Sequence, residues 1–291
     1  MVNGLIARER LSAAELDAVR RLVTRDEAHG GQGIKLNWGM MGRREPGQAN
    51  DFCWYDDDRL VGYAPLDSFG PSGEVTVLVH PDFRRRGIGR VLATAAYSEA
   101  QRRDCTELLL VNVRASTTGR GFAEALGLPL GSSEYHLEFA GSAPPTVPAN
   151  TLEIRQARAG DLAFLTQIAI LSFGITEDEA RQMGENDLAG GAARSFLIER
   201  DGIPLGRLGT IKEESETYLR SFGVLPEERG RGIGRILLAG TIARLWSEGE
   251  RQFSLDVVTD NRHALELYRS CGFTEALAYD YYSWPLDRPA R

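Results

Sequence analysis

One segment of this 291-residue chain occurs twice. Val77 to Arg90 reads VLVHPDFRRRGIGR, and Phe222 to Arg235 reads FGVLPEERGRGIGR. In each copy a short apolar run breaks at a proline, Pro81 or Pro226, and passes through basic and glycine residues into an apolar helical pattern, VLATAAYSEAQ or ILLAGTIARLW. Gly87 and Gly232 stand 145 residues apart, and the same spacing separates Gly127 from Gly272. The chain is therefore a tandem repeat. Each copy has roughly 140 residues, enough to bury about two-thirds of its unfolded surface.

The repeated segment reads as a glycine-rich turn from a strand into a helix. Residues without a Cβ let several backbone N–H groups point into one concavity, and the positive end of the helix dipole adds to it. Such a turn cradles an anion, and Arg229 and Arg231 can add charge-assisted contacts to a phosphate. A nucleotide P-loop needs a lysine and a hydroxyl residue after its last glycine, and neither copy has them. A dinucleotide fingerprint wants a third glycine where Leu92 and Leu237 stand, so support for a nicotinamide cofactor is weak.

The pattern that fits is Arg-x-x-Gly-x-Gly after a strand end, as Arg84, Gly87, Gly89 and again as Arg229, Gly232, Gly234. Together with NRHALELYRSCGF from Asn261 to Phe273, it resembles the GNAT superfamily of acyl-CoA-dependent N-acetyltransferases. The resemblance implies two tandem GNAT-like domains of the α/β (α+β) class, each a mixed, mostly antiparallel sheet flanked by helices. It implies acetyl-CoA as cofactor. In the second half the pantetheine arm would run along Phe222, Gly223 and Val224 and meet Asn261 and Ala264. The pyrophosphate would sit on Arg229, Gly230, Arg231, Gly232, Ile233, Gly234 and Arg235. The matching positions of the first half are Val77, Leu78 and Val79, then Arg84, Arg85, Arg86, Gly87, Ile88 and Gly89.

Acetylating an amine requires its neutral form, and a lysine-like amine is only about one part in 10³ to 10⁴ neutral at pH 7. A base or water chain is therefore needed, and the thiolate leaving group benefits from an acid. Tyr268 lies two helical turns, about 10 Å, beyond Asn261 on one face, and the resemblance gives it the role of acid. A glutamate often serves as base in the family, but the corresponding position here is Tyr218. Glu216, on the same strand face by period-two alternation, is expected to drain the amine's proton through water and Tyr218. The first half has Ser116, Gly119, Ala123, Gly73 and Pro71 where the second has Asn261, Ala264, Tyr268, Tyr218 and Glu216. Residues 1–141 are thus expected to form a catalytically silent domain, 142–150 a proline-rich linker and 151–291 the catalytic domain. The rival reading is a non-catalytic acyl-CoA sensor.

Composition narrows the partners. A net charge of −7 argues against general nucleic-acid binding and mildly favours a cationic acceptor, a small-molecule or peptide amine. No apolar run approaches membrane-spanning length and the first residues lack a signal-peptide core, so a cytoplasmic protein is expected. Three cysteines without CxxC spacing and four scattered histidines indicate neither a disulfide framework nor a metal site. No pattern distinguishes a monomer from a homodimer.

Periodicity predicts a helix from Ser12 to about Arg25, opened by a Ser12–Glu15 capping box. It predicts strands at 52–55, 60–66, 75–79, 107–113 and 135–139 in the first half, with helices from the turn to about 103 and around 122–126. In the second half it predicts strands at 152–156, 195–199, 205–212, 217–224, 253–258 and 278–284. Helices are predicted from about 159–161, over 177–188, 233–246 and 262–270. Residues 29–50 show no clean period; in the family the equivalent region often shapes the acceptor cleft.

Overall fold

The computed structural model describes residues 1–31, 33–41, 44, 46–149, 151–213 and 215–286. The chain divides into two compact units, Met1–Glu134 with Leu277–Arg291, and Tyr135–Ala276. It passes from one unit to the other twice, once within each repeat's last strand.

In chain order the first repeat forms β1 (Gly4–Arg8), α1 (Ala13–Glu27), α2 (Trp38–Met41), β2 (Asp51–Asp56), β3 (Arg59–Phe69), β4 (Ser72–Val75) and β5 (Leu78–Val79). It continues with α3 (Ile88–Arg102), β6 (Glu107–Val113), α4 (Thr117–Ala125) and β7 (Leu130–Phe139). Residues 141–149 form no helix or strand. The second repeat gives β8 (Glu153–Gln156), α5 (Leu162–Phe173), α6 (Glu177–Leu188), β9 (Ala193–Arg200), β10 (Ile203–Lys212) and β11 (Thr217–Val224). It ends with α7 (Ile233–Ser247), β12 (Phe253–Val258), α8 (Arg262–Ser270) and β13 (Phe273–Pro285).

The helices begin where local chemistry directs. At α1 the Ser12 side chain accepts from the Glu15 N–H, and the Glu15 carboxylate accepts from the Ser12 N–H, closing the expected box. Burial pushes the Glu15 carboxyl up, but hydrogen bonds from Ser12 and Arg8 bring it down to about 2. The fourth helix begins earlier than the apolar pattern predicts, because Ser116 caps it by accepting from the Gly119 N–H. A strand at Gly4–Arg8 was not legible, since its five residues carry one weak alternation. The run 75–79 breaks into β4 and β5, the latter pairing with β3.

In the first unit the strands lie in the order β1-β2-β3-β4-β6-β13. Every pair is antiparallel except β4 with β6. Residues 279–285, from the end of the second repeat, pair antiparallel with β6, Tyr279 opposite Val113 and Pro285 opposite Glu107. The core on one face gathers Leu66, Leu92, Leu108, Leu110 and Tyr282; Val111, Val113, Tyr279 and Tyr281 pack on the other. In the second unit the order is β7-β12-β11-β10-β9-β8, with β11 and β12 parallel and β8 to β11 antiparallel. Its core packs α7 and α8 through Leu237, Ile242, Leu265 and Tyr268 against Leu137, Leu219, Phe253 and Leu255. On the opposite face, α5 meets β11 and α6 meets β9. There the buried Asp187 carboxylate accepts from Ser195, Arg207 and Arg220. No helix among the described residues is long and apolar enough to cross a membrane.

Candidate active site

The two glycine turns have the same backbone. Gly87 and Gly232 are the N-cap residues of α3 and α7, with φ of 86° and 77°. A side chain there meets no atom within 4 Å, but that φ favours glycine. Gly230, at φ 75°, has Arg85 as its counterpart at φ 64°. The motif arginines also repeat a contact: Arg84 Nε donates to the Val79 carbonyl at 3.1 Å and Arg229 Nε to the Val224 carbonyl at 3.0 Å. Each arginine thus staples its turn to the preceding strand. Arg84 also pairs with Asp26, and Arg231 lies 3.4 Å from Glu228. The open space over the capping glycines and the uncapped helix N-termini suit a phosphate group.

In the first unit the turn opens on a cavity of about 680 Å³, lined on one side by Val77, Leu78 and Val79 and on the other by Val111, Asn112 and Ser116. Arg84, Arg85, Gly87, Ile88 and Gly89 all line it; the cradle is intact where the chemical groups of the second half are missing.

In the second unit β11 and β12 pair at Thr217–Phe253 and Tyr218–Ser254 and, among the described residues, no further. Beyond that point they diverge. The β10–β11 ladder shifts register there, Gly209 facing Arg220 and Arg207 facing Gly223, with Ser221 at φ 51°. The bulge leaves Ser221 and Phe222 outside the ladder, which resumes with Gly223 opposite Arg207 and Val224 opposite Gly206. Asn261 caps α8, its Oδ1 accepting from the Ala264 N–H at 3.2 Å. Thus the expected pantetheine-contacting residues Asn261 and Ala264 are joined to each other, and the side-chain carbonyl of Asn261 serves the helix.

Tyr268, on α8, is nine-tenths buried, with its ring 6.2 Å from Phe222 and 6.1 Å from Phe273. Burial pushes its phenol up to about 12. The structure therefore brings the expected acid against the expected pantetheine strand. Glu216 lies one residue before β11, where its carbonyl accepts from the Glu213 N–H. Glu214 of this loop is outside the described residues. Leu219 faces the core cluster with Tyr268, so Tyr218 projects from the opposite face.

The sequence reading missed the imidazole on that opposite face. His136 Nδ1 lies 2.7 Å from Asp256 Oδ1, and its Nε2 lies 3.9 Å from Glu138. Burial works against the charge of this ring. The hydrogen bond to Asp256 and the charges of Asp256, Glu216 and Glu138 outweigh burial, so its pKa is raised. The available signal was the alternation of His136 with Leu137 in YHLEF. Among the described residues no group of metal-ligating side chains occurs, and Cys53, Cys105 and Cys271 are buried and free.

The chain belongs to the Acetyltransferase (GNAT) family, which residues 19–128 and 163–273 each match, one match around each of the duplicated turns. It is thus an N-acetyltransferase of the acetyl-CoA-dependent class, with two GNAT regions in tandem. Among its relatives is a protein of Thermobispora bispora named mycothiol acetyltransferase, 31% identical over 290 residues and matched over 90% of this chain and 89% of that one. Another of that name, from Thermomonospora curvata, is 32% identical over 78% of this chain and 80% of its own. Among solved structures, a GCN5-related N-acetyltransferase from Sphaerobacter thermophilus shares the fold with a TM-score of 0.79 at 21% identity, covering 98% and 97% of the two chains. A tandem GNAT protein from the clavulanic acid biosynthesis pathway does so with 0.73 at 19% identity, covering 98% and 99%.

Proposed function

We propose that the second unit transfers an acetyl group from acetyl-CoA to a primary amine by direct attack in a ternary complex. The observation that carries this is Tyr268, whose phenol stays protonated at neutral pH and packs on Phe222 where β11 leaves β12. Acetyl-CoA supplies the acetyl group as an activated thioester. Gly230 to Arg235 hold its pyrophosphate, and the bulged strand Phe222–Val224 orients its pantetheine arm. Backbone N–H groups of that strand stabilise negative charge on the reacting carbonyl oxygen, the kind of preorganised donor that contributes most to catalysis. Tyr268 gives its proton to the departing sulfur. Tyr218 and Glu216 stand on the side from which the amine enters. The name mycothiol acetyltransferase carried by the relatives supports an acceptor related to mycothiol, and the net charge of −7 suits a protonated amine.

The first unit keeps the cradle but lacks the tyrosine, so we assign it coenzyme binding without turnover. Its cavity of about 680 Å³ is the feature that favours a sensing role for this half. Coenzyme A release from acetyl-CoA across a panel of small amines, peptides and amino-sugar conjugates tests the whole reading. Tyr268→Phe is expected to lower turnover by about 10² to 10⁴-fold. A loss below about threefold removes Tyr268 from the role. Calorimetric titration is expected to give two acetyl-CoA per chain, and a single site would confine binding to one unit.

A further inference from the structure

The entry side of the second unit also carries an imidazole, that of His136. Phe253, Leu255 and Val257 of β12 face the core that holds Tyr268, so Ser254 and Asp256 face the other way. Leu137 of β7 faces the same core, which sets His136 beside Asp256 on that opposite face. Asp256 lies two residues past the last β11–β12 pair, Tyr218–Ser254, at the point where the strands open. Ser254 Oγ, on the same strand face, is buried without a hydrogen-bond partner among the described residues. Acid and imidazole thus flank the opening from opposite faces of the sheet.

We propose that His136, held by Asp256, is the general base that accepts the amine's proton in the second unit. The proposal rests on the acetyl-transfer reading above and names the proton acceptor for it. A carboxylate can only accept, so Nδ1–H donates to Asp256 and the basic lone pair is on Nε2. As the amine nitrogen bonds to the acetyl carbon, its proton passes to Nε2 directly or through a water. The C–S bond breaks with its electron pair on sulfur, and the sulfur takes the Tyr268 proton. The charged groups bearing on the ring are Asp256 from β12, Glu216 from the loop before β11 and Glu138 from β7 itself. All three are acidic and stabilise the imidazolium formed. Glu216 thereby acts as a positioning charge for His136.

The test compares the wild type with His136→Gln, Asp256→Asn and Tyr268→Phe in the full chain. With any amine of the panel, His136→Gln is expected to lower kcat/KM by about 10² to 10⁴-fold. It also removes the acid limb of the pH profile, while acetyl-CoA affinity stays within about twofold. Asp256→Asn removes an anion from the ring and moves that limb to lower pH. A His136→Gln rate within about threefold of wild type, with an unchanged limb, overturns the proposal. A second readout needs no acceptor. The His136 ring resonance, assigned by its loss in His136→Gln, is expected to titrate above the ordinary histidine value of about 6.5 and to shift on saturation with acetyl-CoA. A resonance that acetyl-CoA leaves unmoved overturns the placement. A responsive His136 in a protein that acetylates nothing counts against acetyl transfer and leaves the dyad at the opening.

Discussion

Tyr268 shows how one residue links packing to chemistry. Its ring lies among Phe222, Phe273 and Leu265, and that burial raises the phenol to about 12. The same shift has a cost in alkaline solution. An unfolded tyrosine ionises near pH 10, so between about pH 10 and 12 the unfolded chain has lost a proton that the folded chain keeps. Stability therefore falls as pH rises through that window and is independent of this group below it. Tyr268→Phe is expected to abolish that component, on the order of 2 kcal/mol by pH 12, in urea unfolding series at pH 9 and 11.5. Equal losses in both proteins would mean that the phenol is not desolvated. Asp187 is the other residue with a large stake. It is fully buried and serves two arginines and a serine, so Asp187→Ala strands Arg207 in the interior. Equilibrium unfolding is expected to show a loss of about 3–5 kcal/mol.

At the scale of elements, the glycine turns were legible because their chemistry is local. Each needs a backbone conformation that few residues adopt, and the sequence marks it twice at one spacing. Gly232→Ala is expected to cost about 1–2 kcal/mol of folding stability from the left-handed conformation alone. It is also expected to weaken acetyl-CoA binding in the second unit by tenfold or more. A titration in which only one of two sites weakens would separate that turn from its twin at Gly87. The α1 cap, Ser12 with Glu15, was equally readable, whereas the Ser116 cap that starts α4 was not. The bulge at Ser221 was not, since nothing in SFGV distinguishes it from a continuous strand. Nor was the His136–Asp256 pair, because its partners are 120 residues apart and meet only through the order of strands.

For the whole molecule, the repeat told how many copies of the fold the chain holds but not which segments complete each one. The period-two pattern located strands near 135–139 and 278–284 yet carried no information on their neighbours. Hydrophobic strands pair wherever both faces are covered, and β6 is covered on both by residues that include Tyr279, Tyr281 and Tyr282. Residues 1–141 made alone therefore keep β4 beside β6 but lack the strand on its other edge. Such a fragment is expected to show no cooperative thermal transition, whereas the full chain does; a fragment that melts cooperatively would show that β6 finds another cover.

The exchange of last strands also orders events in time. Domains of most multidomain chains fold as they emerge from the ribosome, each before the next is made. Here the first unit must wait for residues 277–285. From the completion of β6 at Val113 until Tyr279 is made, more than half of synthesis, that edge of β6 is unpaired, and the second unit can close its sheet before the first.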